Sequence, residues 1–443
     1  MDLIFSHLNP IQLVALTRVC SSWRRLAIYR LSCFSSLDYD VIKTKKRDIR
    51  QEGLEWLVKY CGGGVRRIVL RVTFPRKVYC DFARMMRVIA EYSTGLEELV
   101  LWFPQCLVVR EEIRCSPSLK TLEIKGNILE EQLASIVEHS PHIEHLVLES
   151  NLFLTGDFIT THLQNATLQT VTFRRCTHLT SETVSYILRN YQSTLSSVSI
   201  SDFPMENIFA FEKSNIPCYS SMRKLELGSW YAKGTFRSQG FSSILENMPN
   251  LRELSMRHSL NLTDGPEELE TLVNLCPRLD TLDLSGTVIT SASFLQPLTR
   301  LDNLRKLVLQ RFDIQKEPFF DFEHLVNSIL AKIPSIEQLY LEDPTSLCLR
   351  DDHVFSLLAL PSLKHLTIFK GCGIDGRFIE QVLRDGSRET REEGRFMRKE
   401  GSSTQTDIQI VITTNKSCEN GQELWNKIDC APEFMKVFVL WDD

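Results

Sequence analysis

The chain has 443 residues, of which 43% are apolar and 24% are charged, and its formal net charge is −5. This composition is typical of a folded protein rather than a disordered one. The slightly acidic balance argues against a general nucleic-acid binder, whose surface carries a basic excess. No apolar run approaches the roughly 18 residues that a membrane span requires, so we expect no membrane association.

Thirteen cysteines are scattered along the chain, and no C-x-x-C pair occurs among them. A zinc site requires ligands paired at short spacing, so we expect no metal and no cofactor. We interpret the cysteines as reduced and mostly buried. Because no signal peptide is recognisable, we expect a cytoplasmic or nuclear protein. The basic stretch Lys43–Arg47 is interpreted as a solvated loop, with a nuclear-import signal as the alternative.

The first 40 residues predict two or three short helices. Apolar residues between Leu16 and Ala27 recur at helical spacing, and the arginines fall off that stripe. Asn9 and Pro10 mark the end of one helix and the start of the next. So small a unit is near the lower limit for burying its own core, and it should leave apolar surface for a partner. The alternative is that Trp23 packs onto the rest of its own chain.

A repeat follows, in which apolar residues occupy positions 1, 4 and 6 of a short motif. Its first positions are Val65, Leu96, Leu119, Ile143, Leu168, Leu195, Met222, Leu251, Leu279, Leu304, Ile336 and Leu363, spaced 23–32 residues apart. A proline stands two residues ahead of six of them, at Pro117, Pro141, Pro249, Pro277, Pro334 and Pro361. Proline ends a helix and favours extended backbone before it. Strands alternating with helices at this period predict an α/β solenoid.

These units resemble leucine-rich repeats. The stretch LQTVTFRRCTHLTSETVSYIL, from Leu168, is similar to the cysteine-containing subtype, and LTDGPEEL, from Leu262, to its helix start. The resemblance implies a curved parallel sheet on the concave side and helices on the convex side, with about 12 repeats over residues 65–385. A linker with a capping helix is expected over residues 41–64. Cys176 is interpreted as a buried turn residue rather than a reactive thiol.

The segments IFSHL, NPIQL, VCSSWRRLA and LSCFSSLDYD resemble the F-box. Together with the repeats, they make the chain similar to F-box proteins with leucine-rich repeats, substrate receptors of SCF-type ubiquitin ligases. We expect a shortened F-box over residues 1–40, because the family's Leu-Pro pair and acidic residue do not precede IF. The resemblance implies that the box docks a Skp-type adaptor, and through it cullin and RING subunits. The implied adaptor contacts are Leu3, Ile4, Phe5, Leu8, Leu13, Val19, Trp23 and Leu26.

Strand side chains alternate, so motif positions 3, 5 and 7 should face outward on the concave sheet. Arginine and aromatic residues there and just after carry binding energy at interfaces. The predicted substrate-binding set is Arg71, Trp102, Phe103, Arg174, Arg175, Arg257, Arg311, Tyr340 and Phe369. We hypothesise that the arginines receive an acidic or phosphorylated segment of a protein substrate. The alternative is a mixed, solvated face, which Glu123, Glu149, Glu226 and Asp283 share.

The C-terminal part is predicted to hold a flexible charged loop over residues 386–406 and two capping strands within 407–443. A separate binding element is the alternative to the cap. No G-x-S-x-G, H-E-x-x-H or phosphate-loop motif occurs, so we predict no enzyme activity.

The leading prediction is the non-catalytic substrate-recognition subunit of a cullin–RING ubiquitin ligase, a monomer within that complex, acting in protein ubiquitination and proteasomal degradation. The alternative is a leucine-rich-repeat scaffold or inhibitor that binds a protein partner without ligase assembly. Adaptor binding separates the two, because only the first requires it.

Overall fold

The computed structural model describes residues 5, 7–44, 47–48, 51–73, 82–102, 115–163, 167–201, 218–228, 242, 245–258, 261–262, 266–289, 291–310, 313–314, 322–342, 349–371, 373–386, 408–415, 423–424, 427–428, 431 and 435–442. The chain divides into two compact units, Met1–Ile208 and Phe209–Asp443. Each contains a sheet of parallel strands linked by helices and turns. Within the described residues, no helix combines the length and apolarity needed to cross a bilayer.

The first unit begins with helices and continues as repeats. Its helices are α1 Pro10–Leu16, α2 Ser21–Ser32, α3 Gln51–Cys61, α4 Phe82–Tyr92, α5 Glu130–Glu138, α6 Asp157–His162 and α7 Ser181–Asn190. Its strands are β1 Ser36–Thr44, β2 Arg47–Asp48, β3 Arg67–Thr73, β4 Glu98–Trp102, β5 Thr121–Lys125, β6 His145–Glu149, β7 Thr170–Arg174 and β8 Ser197–Ser201. They lie in the order β8-β7-β6-β5-β4-β3-β1-β2. Only the β1–β2 pair is antiparallel among these described strands.

The second unit repeats the pattern with more irregular helices. Its strands are β9 Lys224–Gly228, β10 Glu253–Arg257, β11 Asn261–Leu262, β12 Thr281–Asp283, β13 Val288–Ile289, β14 Lys306–Leu309, β15 Asp313–Ile314, β16 Gln338–Glu342, β17 His365–Phe369, β18 Ile408–Asn415 and β19 Met435–Asp442. The main sheet has the order β9-β10-β12-β14-β16-β17-β18-β19, and β11-β13-β15 form a smaller one.

The helices of the second unit are α8 Glu267–Leu275, α9 Phe322–His324, α10 Asp351–Leu358 and α11 Arg377–Gly386. A 3-10 helix spans Ala292–Arg300. Helix α9 continues as the π-helix Leu325–Ile329 and the 3-10 helix Leu330–Lys332. The helix expected to end before Pro334 is therefore present but is not a uniform α-helix.

The predicted repeat is confirmed. Each of the twelve motifs gives a strand that starts at motif position 3. The residues at positions 1, 4 and 6 are all at most 2% exposed. Burying one such leucine or isoleucine contributes roughly 1.5–3 kcal/mol, so the stacked motif positions form the core of each sheet. The chain is thus the α/β leucine-rich-repeat fold that the spacing predicts.

Backbone hydrogen bonds fix the register between repeats at motif position 2. The Arg66 carbonyl accepts the N–H groups of Glu97 and Glu98 at 2.8 and 2.9 Å. The Lys120 carbonyl accepts those of Glu144 and His145 at 2.8 and 2.9 Å.

After the strand, at motif position 8, the backbone turns at a residue with positive φ in six repeats: Gly126, Ser150, Arg175, His258, Gly286 and Lys370. This left-handed residue ends the strand and directs the chain away from the sheet.

The sequence-based boundaries differ from the structure at both ends. Residues 36–40, predicted to belong to the box, begin β1, which pairs in parallel with β3. Most of the predicted linker 41–64 is the rest of β1, β2 and α3. Within Lys43–Arg47, the ends belong to β1 and β2, whereas residues 45–46 lie outside the described part of the chain. Phe34, Leu37 and Tyr39 have the spacing of the motif, but the resemblance to the F-box extends over them, so β1 was not predicted as a repeat strand.

At the C-terminal end, the predicted loop 386–406 lies outside the described residues except for Gly386, the last residue of α11. The two predicted strands are β18 and β19. They pair in parallel with each other, and β18 pairs with β17, so they extend the main sheet of the second unit.

Candidate protein-binding site

Two capped helices build the region called here the headpiece, residues 5 and 7–33. The Gln12 N–H donates to Asn9 Oδ1 at 2.9 Å, and the Asn9 N–H donates to Gln12 Oε1 at 3.0 Å. This capping box, with Pro10 at the first helical position, starts α1. Helix α2 starts at Cys20, whose Sγ accepts the Trp23 N–H at 3.5 Å. The sequence break at Asn9–Pro10 therefore has the predicted effect.

The headpiece has a small apolar core. Leu13, Ala27 and Leu31 are fully buried, and Phe5 is nearly so. The Phe5 and Trp23 rings pack edge to face, with centroids 5.7 Å apart. Phe5 and Leu13, which the resemblance implied as adaptor contacts, thus support the headpiece from inside. Their burial leaves no side-chain surface for a direct contact in this structure.

Four apolar side chains in the second half of the headpiece are exposed or partly exposed. Val19 is 59% exposed and Tyr29 is 62% exposed. Trp23 and Leu26 lie between them in the chain and are partly exposed. We call Val19, Trp23, Leu26 and Tyr29 the headpiece apolar face. Sequence reasoning missed Tyr29, although its place one helical turn after Leu26 is a usable signal.

The other implied adaptor contacts have different positions. Leu8 is partly exposed at the start of the headpiece, and Leu3 and Ile4 lie outside the described residues.

The charged residues of this region are all positive: residues 3–35 contain four arginines and no aspartate, glutamate or lysine. Arg18, Arg24 and Arg25 are exposed, and Arg24 Nε also donates to the Thr17 carbonyl at 2.9 Å. The headpiece therefore presents apolar side chains within a positive surround.

The predicted substrate-binding residues of the first unit share one row of the sheet. Arg71, Trp102, Lys125, Glu149 and Arg174 are aligned in register on neighbouring strands. This row lies on the outer face, the side opposite the one buried by motif positions 4 and 6. Neighbouring strands are about 4.8 Å apart, so the row spans roughly 19 Å.

Ion pairs already engage several charges of that row. The Arg71 guanidinium makes two contacts with the Asp38 carboxylate, at 2.6 and 3.1 Å. Lys125 Nζ lies 2.8 Å from Glu123 Oε1. Trp102 is 46% exposed and is the large apolar side chain of the row. Arg174 is exposed, and exposed Arg175 follows it in the left-handed conformation, whereas Phe103 lies outside the described residues.

In the second unit, Arg257 is held by a buried carboxylate. Its Nε donates to Asp283 Oδ2 at 2.7 Å, and the other Asp283 oxygen accepts the N–H and hydroxyl of Ser285. An acidic substrate group must compete with Asp38 for Arg71 and with Asp283 for Arg257. Both carboxylates come from the chain itself, and their pairing depends on strand register that the sequence pattern does not specify.

The predicted aromatic residues of the second unit lie nearer its C-terminal strands. Lys306 Nζ stands 5.2 Å from the centroid of the Tyr340 ring, and the His365 ring is 5.4 Å from it on the next strand. Phe369 is partly exposed and is aligned with Glu342. Arg311 lies outside the described residues. The structure thus separates the predicted set into groups within each unit.

The buried cysteines are part of the core. Cys176 is 1% exposed at the turn after β7, and burial raises the pKa of its thiol to about 11. Burial likewise raises the pKa of Cys61 and of Cys276 to about 12. These thiols stay protonated near neutral pH, which makes them poor nucleophiles. Among the described residues, no three His, Cys, Asp or Glu side chains are grouped to hold a metal.

Comparison with known proteins assigns the N-terminal region to a family. The family model described as F-box-like matches residues 2–35. The match covers α1 and α2 and ends just before β1. It therefore coincides with the headpiece and excludes the first strand of the sheet.

Solved structures are similar to the fold. A chain in the crystal structure of the Rad7 and Elc1 complex in yeast has a TM-score of 0.50 and 16% identity, covering 94% of this chain and 87% of its own. An internalin (InlF) of Listeria monocytogenes has a TM-score of 0.38, 12% identity and coverages of 83% and 88%. The TLR13–ssRNA13 complex has a TM-score of 0.38, 13% identity and coverages of 93% and 52%. Only the first score supports a fold comparison. The chain therefore combines an F-box-like region at residues 2–35 with strands and helices of the leucine-rich-repeat type.

Proposed function

We propose that this chain is the non-catalytic substrate-recognition subunit of a cullin–RING ubiquitin ligase of the SCF type. One observation carries the proposal: the described residues within the F-box-like match form a headpiece that keeps an apolar face in solvent. Its core is already filled by Phe5, Leu13, Ala27 and Leu31. The exposed side chains are therefore available for another protein.

The headpiece docks a Skp-type adaptor through Val19, Trp23, Leu26 and Tyr29. Aromatic side chains that lose water at the centre of an interface contribute most of its binding energy. The surrounding arginines favour a partner surface with carboxylates and speed its association at low salt. A charge-assisted interface of this kind weakens as ionic strength rises.

The repeats hold the protein substrate, and the cullin and RING subunits join through the adaptor. Tethering raises the effective concentration of the substrate near the charged ubiquitin carrier, so the chain needs no reacting group of its own. A comparable fold is found in a two-protein complex, Rad7 with Elc1, which supports action through a protein partner. Such a receptor would act in the cytoplasm or nucleus, where the ubiquitin machinery operates.

Co-expression of the full chain with a Skp-type adaptor tests the proposal. Trp23→Ala should weaken adaptor binding by about 30-fold, which corresponds to roughly 2 kcal/mol for an interface anchor. Trp56→Ala is the matched control, because Trp56 is a 40% exposed tryptophan on α3, outside the headpiece, and its ring packs on Tyr60. It should bind like the wild type.

Trp23 also packs on Phe5, so its loss alone does not separate folding from binding. Tyr29→Ala removes an exposed ring and should reduce adaptor recovery while the circular dichroism spectrum stays unchanged. Wild-type recovery with both variants would contradict adaptor docking. It would favour the alternative of a leucine-rich-repeat scaffold or inhibitor without ligase assembly.

A further inference from the structure

The last strands of the second unit place apolar side chains on the outer face. Phe438 is 46% exposed and Leu440 is 54% exposed. They alternate along β19 with Met435, Val437 and Val439, which are buried. If β19 only covered the end of the core, apolar residues would be needed only at the buried positions Met435, Val437 and Val439. The exposed set therefore requires a separate explanation.

Register makes these side chains part of one surface. Tyr340, Thr367, Val411 and Phe438 are aligned across β16, β17, β18 and β19. Beside this row lie Phe369 and Leu440, two residues further along their strands. We call Tyr340, Phe369, Val411, Phe438 and Leu440 the C-terminal apolar face. All five keep part of their surface in solvent.

The same outer face is polar at the other end of the second unit. The residues equivalent to Val411 and Phe438 on β9, β10 and β12 are Glu226, Ser255 and Asp283. An apolar surface is thus confined to the C-terminal strands rather than being general to the sheet. In this face the buried Thr367 stands between Tyr340 and Val411, and exposed apolar side chains grouped in this way are typical of protein-binding sites.

A basic edge borders the C-terminal apolar face. Motif positions 2 and 3 of β14, β16, β17, β18 and β19 supply four cations: Arg305, Lys306, Lys364 and Lys436. Among the described residues at these positions, Glu337 is the one carboxylate, and it lies 2.7 Å from Lys364 Nζ. The edge therefore has an excess of positive charge, which favours a partner with acidic side chains.

We propose that the C-terminal apolar face binds an extended substrate segment in which apolar side chains are followed by acidic ones. This inference rests on the proposed function, because it names the class of substrate that the receptor holds. Every second side chain of an extended peptide points the same way, so the apolar ones on one side of the segment contact the sheet, and the acidic ones that follow on that same side meet the basic edge. Strands β16 to β19, which carry this face, span about 14 Å, which matches about four residues.

Fluorescence polarisation with the full chain tests this proposal. The probe is a labelled nonapeptide in which leucine or phenylalanine residues are followed by glutamates, and the comparison peptide has lysine in place of glutamate. The glutamate peptide should bind at least about tenfold more tightly than the lysine peptide. Phe438→Ser should weaken glutamate-peptide binding by about tenfold, and Lys306→Glu with Lys436→Glu should remove the preference for glutamate.

Phe153→Ser is the matched control, because Phe153 is a 54% exposed phenylalanine that belongs to the first unit and to none of the C-terminal strands. It should bind the probe like the wild type. Equal affinity for both peptides, an unaffected Phe438→Ser variant, or failure of the wild type to bind either peptide would overturn the proposal. Self-association would also overturn it, if light scattering shows that the wild type associates, that Phe438→Ser does not, and that neither binds the peptide. The occupant of the C-terminal apolar face would then be a second copy of the chain.

Adaptor co-purification of the same variants separates this proposal from the proposed function. Phe438→Ser should retain the adaptor, because the headpiece is unchanged. If the wild type binds the peptide but no adaptor, the ligase assignment fails, and the face remains a peptide site of a scaffold protein.

Discussion

The headpiece and the repeats use apolar side chains in opposite ways. In the repeats, motif positions 1, 4 and 6 are at most 2% exposed in all twelve motifs. In the headpiece, apolar residues at helical spacing leave Val19 and Tyr29 more than half exposed. Stacked repeats bury their apolar residues against neighbouring repeats of the same chain, whereas the packing of the two headpiece helices covers only part of theirs. The difference indicates where another protein is needed.

The largest expected effect is in a repeat core. Leu122→Ala removes a fully buried side chain at motif position 4 of β5, and it should lower the free energy of unfolding by about 2–5 kcal/mol. Leu8→Ala, at a partly exposed headpiece position, should cost clearly less. Urea unfolding of both variants measures the contrast, and equal losses would contradict the difference in packing.

A charge on the headpiece apolar face should affect binding and leave stability almost unchanged. Val19→Asp places a carboxylate on a residue that is 59% exposed, so the free energy of unfolding should change by less than about 0.5 kcal/mol. Adaptor affinity should fall at least about tenfold, since the carboxylate loses water at an apolar interface. Calorimetric titration with the adaptor measures this. Unchanged affinity would remove Val19 from the interface.

A smaller, pH-dependent effect is expected in the terminal repeat of the second unit. Buried Asp351 accepts the N–H groups of Asp375 and Phe378 at 3.0 and 3.1 Å. Burial raises the pKa of Asp351, and nearby Asp375 adds to the shift. The folded state therefore holds this proton more tightly than the unfolded chain does. Its stabilising contribution is greatest below the ordinary pKa of 3.8 and is lost as pH rises through the raised value.

Asp351→Asn removes that titration. As pH rises above about 4, the free energy of unfolding of the wild type should therefore fall relative to that of the variant. Unfolding in urea at several pH values measures it. Residues 3–35 contain no carboxylate side chain, so adaptor binding by the variant should follow the wild-type pH profile. A constant stability difference across this range would contradict the raised pKa.

The sequence was sufficient for the repeat strands because each one needs apolar residues at the same three positions. It did not identify β1, whose pairing with β3 brings Asp38 to Arg71. It also placed Phe5 and Leu13 at the adaptor surface, since an apolar stripe does not say which of its members face the core. The outward position of Phe438 and Leu440 depends on register, which spacing alone leaves open.

The central claim is that the headpiece apolar face is where the adaptor binds. Hydrogen–deuterium exchange of the full chain, with and without a purified Skp-type adaptor, tests this most directly. We expect slower exchange in peptides from residues 13–33 and unchanged exchange in the strands of both units. Slower exchange confined to the repeats, or no change anywhere at saturating adaptor, would contradict it.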